Sequence, residues 1–162
     1  MTEIVEFRVV RPEDEEILVE LFQGISDPFF QPHPFTAAAA RGIATRRGRD
    51  IYAILIANDR PVGYGILRGW DEGYEVPSLG VAVRNEVQGQ GFGRLTMIHL
   101  HAEAARRGAR LVRLRVHPDN LRALRLYKSL GYSYAGEDRG EMVMVLALDQ
   151  YAPGESPWDR QP

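Results

Sequence analysis

The stretch Gln88-Gly89-Gln90-Gly91-Phe92-Gly93-Arg94 joins a strand predicted over residues 76–83 to a long helix predicted to end at Arg107. Glycines allow backbone conformations that direct several N–H groups into one concavity, and the N-terminus of a helix adds positive potential there. The stretch therefore predicts a site for an anion such as a pyrophosphate. Taken alone, the same glycines also fit a tight strand-to-helix turn that binds nothing.

Two widespread phosphate-binding motifs do not match this loop. A P-loop needs Gly-Lys followed by Ser or Thr, and no such triplet occurs in the chain. The spacing of Gly89, Gly91 and Gly93 also differs from the dinucleotide-binding pattern, whose last glycine follows two intervening residues. The order of the surrounding elements differs from that of a Rossmann unit. The loop therefore indicates another kind of anion site.

Hydrophobic periodicity and turn residues divide the chain into short strands and amphipathic helices. The predicted strands cover residues 4–10, 50–57, 62–67, 76–83, 110–116, 132–136 and 141–148. Helices are predicted after Pro12, from Thr36 to about Arg46, after the glycine-rich loop, and from Asn120 to Leu130. Short turns favour antiparallel pairing, whereas the long helix allows one parallel crossover. The predicted fold class is α/β of the α+β type: a mixed, mostly antiparallel sheet of six to seven strands, flanked by about four helices.

Composition places the chain among ordinary globular proteins. Its 162 residues suffice for one domain with a sizeable core, and it is 44% hydrophobic and 26% charged. A net charge of -2 gives no support for nucleic-acid or membrane-surface binding. The absence of cysteine excludes disulfides, thiolate metal sites and a cysteine nucleophile. The first residues do not have the pattern of a signal peptide, so a cytoplasmic protein is expected. Residues 1–149 are predicted to form a single domain and residues 150–162 a Pro-rich tail.

Two blocks of sequence resemble the GNAT superfamily of acetyl-CoA-dependent N-acetyltransferases. Gln88-x-x-Gly91-x-Gly93, after the strand Leu79-Gly80-Val81-Ala82-Val83, is similar to the family's Q/R-x-x-G-x-G/A signature. Val116-His117-Pro118-Asp119-Asn120, followed by Ala123, Tyr127 and Leu130-Gly131-Tyr132, is similar to its second cofactor segment. The resemblance covers the chain from the first strand to the closing hairpin, and the two blocks occur in the family's order.

The resemblance implies that the chain uses acetyl-CoA. No metal site is expected, because His99 and His101 project from different sides of the predicted helix. The pyrophosphate would lie over the glycine-rich loop, and the pantetheine would bond the backbone of the preceding strand like an added strand. A free N–H near Val81 would polarise the thioester carbonyl, and the Tyr127 hydroxyl would protonate the leaving thiolate. The implied cofactor-binding residues are Val81, Ala82, Val83, Gln88, Gly89, Gln90, Gly91, Phe92, Gly93, Arg94, Asn120, Ala123 and Tyr127.

Plainer interpretations remain open for the second block. Asn120 is also a good helix N-cap, and a tyrosine at an apolar helix position such as Tyr127 is often a core residue. The two residues are seven positions apart and therefore share a helix face with Ala123.

The general base is less well defined by the resemblance. Family members often carry a Glu near the start of the strand before the glycine-rich loop, where this chain has Pro77. Glu75 is the nearest candidate, with Glu72 and Asp71 behind it, and a chain of waters is the alternative. His33, in a loop rich in Pro and aromatics, could line the acceptor pocket or have no role.

The function predicted from these features is transfer of an acetyl group to a primary amine of a small molecule or peptide by direct attack. The alternative is a non-catalytic acyl-CoA-binding or sensing module of the same fold. Acetyl-CoA and a small amine-bearing acceptor are the expected partners, without nucleic acid or membrane, and self-association into a homodimer is left open.

Overall fold

The computed structural model describes residues 4–151, which contain four α-helices and seven strands. The strands are β1 Val5–Val9, β2 Ile51–Ala57, β3 Arg60–Arg68, β4 Ser78–Val83, β5 Leu111–Val116, β6 Ser133–Asp138 and β7 Glu141–Ala147. The helices are α1 Glu15–Gln23, α2 Ala37–Ala44, α3 Phe92–Arg106 and α4 Leu121–Ser129.

The seven strands form one mixed sheet in the order β1-β2-β3-β4-β5-β7-β6. All neighbouring strands are antiparallel except β4 and β5, which run parallel and are joined by the crossover through α3. The predicted mixed, mostly antiparallel sheet with one crossover is confirmed. The parallel pair is also the weakest connection in the sheet, because its register contains only Ser78 opposite Arg113.

Local chemistry sets several of the element boundaries. The Thr36 hydroxyl accepts a hydrogen bond from the Ala39 N–H and so caps α2, as its position in the sequence predicts. Asn58 and Asp59, with φ of 49° and 67°, make the tight turn of the β2–β3 hairpin. Gly131, with φ of 98°, ends the α4 segment in a conformation that favours glycine.

Two apolar layers cover the two faces of the sheet. Helices α1 and α2 pack on one face through Leu18, Leu21, Phe22 and Ala40, against Ile54, Tyr64 and Ile66. Helices α3 and α4 cover the other face through Met97, Leu100, Ala104 and Tyr127, against strand residues such as Val112 and Leu114. The two helices of the predicted cofactor site, α3 and α4, therefore lie on one face of the sheet, and Phe30 and Phe35 of the segment between α1 and α2 pack on the other.

Helix α3 buries a polar residue whose burial the sequence did not reveal. His101 is fully buried, with its Nε2 2.6 Å from the Tyr132 hydroxyl and its Nδ1 3.2 Å from the Tyr151 hydroxyl. Burial holds the pKa of His101 at about 4, so the imidazole is neutral at physiological pH. His99 instead stacks on Phe7.

The predicted tail begins inside a structured turn. Gln150 and Tyr151 belong to a 3-10 turn over Asp149–Tyr151, and the Tyr151 hydroxyl bonds to His101. The rest of the predicted tail, 152–162, lies outside the described residues. Within residues 4–151, no helix has the length and apolar character needed to cross a membrane, and no three potential metal ligands cluster.

Candidate active site

The edge of β4 that faces β5 is open. Every residue of β4 pairs with β3, whereas β5 pairs with β4 only at Ser78. The Arg84 N–H bonds to the Val62 carbonyl on the β3 side. Because backbone groups alternate between the two edges of a strand, the N–H groups of Val81 and Val83 face the open side. The splayed strands thus leave backbone donors and acceptors without a strand partner in the described chain.

The glycine-rich loop reaches α3 beside this edge. Gly89 and Gly91 have φ of 81° and 88°, in the left-handed region that favours glycine. Gly91 is the N-cap of α3, and no side chain within residues 4–151 bonds to this helix end. The N–H groups of the first turn are therefore available to a ligand, and an anion is favoured by the helix dipole.

Two arginines border the same loop. The Arg122 guanidinium lies 2.9 Å from the Gln88 side-chain oxygen and ties the loop to α4. Arg94, in the first turn of α3, donates to the Ser129 hydroxyl over 2.8 Å. Both side chains line the cavity described below, so positive charge adds to the backbone donors of the loop.

Helix α4 presents the second predicted block. The Asn120 side-chain oxygen accepts from the Ala123 N–H over 3.3 Å, so Asn120 is the helix N-cap, and it also lines the cavity. Tyr127 is 9% exposed, and its hydroxyl bonds to no protein group within residues 4–151. Burial, and next the charge of Asp27, raise the pKa of Tyr127, so the hydroxyl keeps its proton.

One cavity of about 590 Å³ joins the open edge, the loop and α4. Its lining includes every cofactor-binding residue predicted from the sequence except Gln90, which is exposed in the same loop. The structure therefore brings together Val81, Ala82, Val83, Gln88, Gly89, Gly91, Phe92, Gly93, Arg94, Asn120, Ala123 and Tyr127.

Glu75 does not join this group. It is exposed on the loop before β4 and does not line the cavity, and neither do Glu72 and Asp71. Asp71 instead accepts from the Arg49 N–H over 2.6 Å and pairs with Arg46, which identifies it as part of a surface network. A direct base at Glu75 therefore lacks support from its position, and the physical reason is that the loop turns away before β4 begins.

The segment between α1 and α2 supplies cavity residues that the sequence analysis missed. Residues 26–32 line the cavity, and the Phe29 ring lies 5.3 Å from that of His117 at the end of β5. Asp27 accepts from the Phe29 N–H over 2.9 Å. Asn85 fixes the segment by accepting from the Ser26 N–H over 3.1 Å. The only signal in the sequence was the density of Pro and aromatic residues there.

Each of two histidines near the site has its ring lone pair engaged. The His117 Nδ1 accepts from the Asp119 N–H over 3.0 Å, so its neutral form carries its proton on Nε2 and has no lone pair free for a base. His33 is not a lining residue. Its Nε2 lies 2.8 Å from the Tyr64 hydroxyl and its Nδ1 2.8 Å from the Pro34 carbonyl, and burial lowers its pKa. Carboxylates, not histidines, are thus the proton acceptors that the cavity offers.

Comparison with known families agrees with this geometry. The model of the Acetyltransferase (GNAT) family matches residues 16–132, which is more than half of the chain. The chain belongs to the GNAT family. Its members are acyltransferases, and the resemblance drawn from the glycine-rich loop and the Asn120–Tyr127 segment is confirmed at the level of the family.

GNAT relatives with curated names include the ribosomal protein bS18-alanine N-acetyltransferases of Escherichia coli (strain K12) and Shigella flexneri. Each is 38% identical over 82 residues, covering 46% of this chain and 55% of the relative. The chain thus spans about half the length of the curated relatives it matches.

Solved GNAT structures have the same fold. The ribosomal-protein-S18-alanine N-acetyltransferase from Escherichia coli aligns with a TM-score of 0.68 at 21% identity, covering 90% of this chain and 94% of that one. The PaiA N-acetyltransferase from Thermoplasma acidophilum, in complex with coenzyme A, aligns with a TM-score of 0.70 at 16% identity, covering 89% and 99%. At these identities the likeness establishes the fold.

Proposed function

We propose that this protein transfers an acetyl group from acetyl-CoA to a primary amine of a small molecule or peptide by direct attack. The observation that carries the proposal is one cavity that combines an open strand edge, an uncapped helix N-terminus and the unpaired hydroxyl of Tyr127. Each feature matches one part of a thioester of CoA: the pantetheine amides, the pyrophosphate and the leaving sulfur. Family membership and a neighbour solved with coenzyme A support the same donor.

The proposed binding mode uses backbone groups for most of the cofactor. The pyrophosphate lies over the segment from Gly89 to Arg94, where helix N–H groups and the guanidinium of Arg122 provide positive charge. The pantetheine amides bond the open edge of β4 as an extra strand would. Asn120 and Ala123 border the same path from α4.

Two groups act on the thioester in this proposal. The Val81 N–H faces the open edge and stabilises the negative charge that develops on the carbonyl oxygen. The Tyr127 hydroxyl is protonated and unpaired, and it donates its proton to the departing thiolate. The C–S bond breaks as the C–N bond forms, and the products are the acetylated amine and free CoA.

The proton of the attacking amine needs an acceptor. Asp27 and Glu141 are the carboxylates that line the cavity. Asp27 is the better candidate, because its charge acts on Tyr127 and it therefore lies close to the proposed acid. One of its oxygens holds the Phe29 N–H, which leaves the other for the substrate. Glu75 then acts only through water.

The test is turnover against a panel of amines, with CoA release and acetylated product measured together by mass spectrometry. The panel includes amino acids, polyamines, amino sugars and a peptide that begins with alanine, because the matched relatives are named for an alanine of a ribosomal protein. The expected result is equal release of CoA and product with at least one amine. Binding of acetyl-CoA without transfer to any amine would contradict the proposal and favour a sensing module.

A further inference from the structure

Three arginines lie on one face of the sheet beside the acceptor side of the cavity. The strand register places Arg68 of β3 opposite Ser78 of β4, and Ser78 opposite Arg113 of β5. Arg68 and Arg113 therefore lie on either side of Ser78 in one row across the three strands. Paired residues of neighbouring strands point to the same face, and Arg115, two positions along β5, shares that face. Arg68 and Arg115 both line the cavity.

The charges of the three arginines, Arg68, Arg113 and Arg115, are only partly neutralised within the described chain. Arg115 pairs with Asp138 over 3.3 Å, but Asp138 is 43% exposed. Arg68 is half-buried and forms no ion pair or side-chain hydrogen bond with residues 4–151. The Nε of Arg113 is buried without a partner in the same part of the chain. Burial is the main cause of the lowered pKa of His33, and the nearby charge of Arg68 adds to the lowering.

Negative charge in the cavity comes from two places. Asp27 lies on the segment between α1 and α2 and acts on Tyr127 at the proposed thioester position. Glu141 begins β7 opposite Asp138 and also lines the cavity. It stands two positions before Val143, the partner of Arg115, so it shares the face of the arginines. The space beneath residues 26–32 therefore has Asp27 close to the reacting centre, Arg115 beside carboxylates, and the guanidinium of Arg68 without a carboxylate partner in residues 4–151. Phe29 and Phe30 also line this space.

We infer that the acceptor is a small amino acid-like molecule, whose carboxylate binds Arg68 and Arg115 while its amine lies between Asp27 and the thioester. This inference rests on the proposed function and specifies its substrate class. A guanidinium–carboxylate contact is strong and directional, which would hold the amine in one orientation. A polyamine would instead place a second cation against the unpaired guanidinium of Arg68.

The reaction that follows is balanced within the site. The amine nitrogen attacks the thioester carbon and the C–N bond forms as the C–S bond breaks. Asp27 takes the proton of the amine, and Tyr127 gives its proton to the sulfur. The products are an N-acetyl amino acid and CoA, and the carboxylate on the arginines takes no part in the bond changes.

The test compares L-amino acids with their own C-terminal amides, which keep the amine and side chain but lose the negative charge. Glycine, β-alanine and L-glutamate are included because they differ in the separation of amine and carboxylate. For the best acid, kcat/KM should exceed that of its amide by about tenfold to a hundredfold, the range of one charge-assisted hydrogen bond. Spermidine should be a poor acceptor.

Variants of single arginines test whether Arg68 causes the preference for the acid over its amide. Arg68→Gln should raise KM for the best acid by about tenfold to a hundredfold, with little change for its amide and in the affinity for CoA. Arg47→Gln removes an exposed arginine that does not line the cavity. It should change neither the KM for the acid nor the affinity for CoA. Arg68→Lys keeps the charge and should recover part of the loss. Circular dichroism and melting temperature confirm that each variant is folded.

The outcomes separate this inference from the proposed function. If wild-type protein acetylates amides or spermidine as well as the acids, the inference is overturned and the acetyltransferase proposal stands. If no amine is acetylated, the acetyltransferase proposal fails. Calorimetry with CoA-loaded protein then decides the inference: binding of an acid but not of its amide supports it, and equal or absent binding overturns it.

Discussion

Replacing Tyr127 with Phe removes one hydroxyl and keeps the ring that packs in the core. The hydroxyl has no protein partner within residues 4–151, so its loss breaks no intramolecular hydrogen bond. The free energy of unfolding should therefore change by less than about 1 kcal/mol. If the hydroxyl protonates the thiolate, however, the turnover number should fall by roughly 10² to 10⁴. That loss corresponds to about 2.7–5.5 kcal/mol on the activation barrier.

Tyr132 provides a matched control. Its ring lies 5.8 Å from that of Tyr127, but its hydroxyl contacts the buried His101 Nε2 over 2.6 Å. Tyr132→Phe leaves that nitrogen without its partner, so stability should fall by about 1–3 kcal/mol. Turnover at temperatures where this variant is folded should change little. The two substitutions are chemically identical and should have opposite effects.

The assay combines single-turnover rates, calorimetry with CoA and urea unfolding for wild-type protein and both variants. Tyr127→Phe should keep its dissociation constant for CoA within a few-fold of wild type, because the proposed contacts of the cofactor are mostly with backbone. The reasoning is refuted if Tyr127→Phe turns over normally. It is also refuted if its whole loss of activity follows from a lower melting temperature, since Tyr127 would then be a core residue only.

Three further predictions concern other parts of the chain. Gly91→Ala should weaken CoA binding and destabilise the fold by about 1–2 kcal/mol, because φ is 88° there although no atom lies near the added Cβ. Gly42→Ala, inside α2 with equally open space, should stabilise by about 0.5–1 kcal/mol, and equal effects of the two in urea unfolding would argue against the backbone explanation. Asp27→Asn should lower kcat and alter its pH profile while Glu75→Gln leaves both unchanged, and the reverse result would return the base to Glu75. Burial lowers the pKa of His101 from an ordinary 6.5 to about 4 in the folded chain. Between these two pH values the unfolded chain binds a proton at His101 and the folded chain does not, so the folded state loses stability as the pH falls. Stability should drop by about 2.5 kcal/mol between pH 8 and pH 4.5, and His101→Gln should abolish most of that slope in urea titrations.

The sequence predicted those parts of the fold in which local chemistry and tertiary packing agree. The caps at Thr36 and Asn120 were identifiable because their side chains bond to residues three positions away. The glycine-rich loop was identifiable because the left-handed backbone at Gly89 and Gly91 demands that residue type. These local features bring the loop, β4 and α4 together, so that the residues named from the sequence, except Gln90, line one cavity. Their role in cofactor binding stays a prediction.

The acceptor half depends on contacts between distant segments, which carry little local signal. Asp27 enters the cavity because Asn85 holds the α1–α2 segment across 59 positions of sequence. The row of Arg68 and Arg113 exists only because of the strand order, which brings β3 and β5 to either side of β4. His101 looked like any polar helix residue, and its burial depends on Tyr132 and Tyr151. Glu75 is close to β4 in sequence, but it is exposed on a turn and does not line the cavity.

The central claim is that the open edge of β4 and the N-terminus of α3 hold acetyl-CoA with its thioester at Tyr127. The most direct test is a titration of isotope-labelled protein with CoA, followed through the backbone amide resonances. The N–H groups of Val81 and Val83, and those of the first turn of α3, should shift strongly, whereas those of Gly80 and Ala82, which face β3, should shift much less. The account would be contradicted if CoA failed to bind the folded protein, or if the shifts clustered away from β4 and the glycine-rich loop.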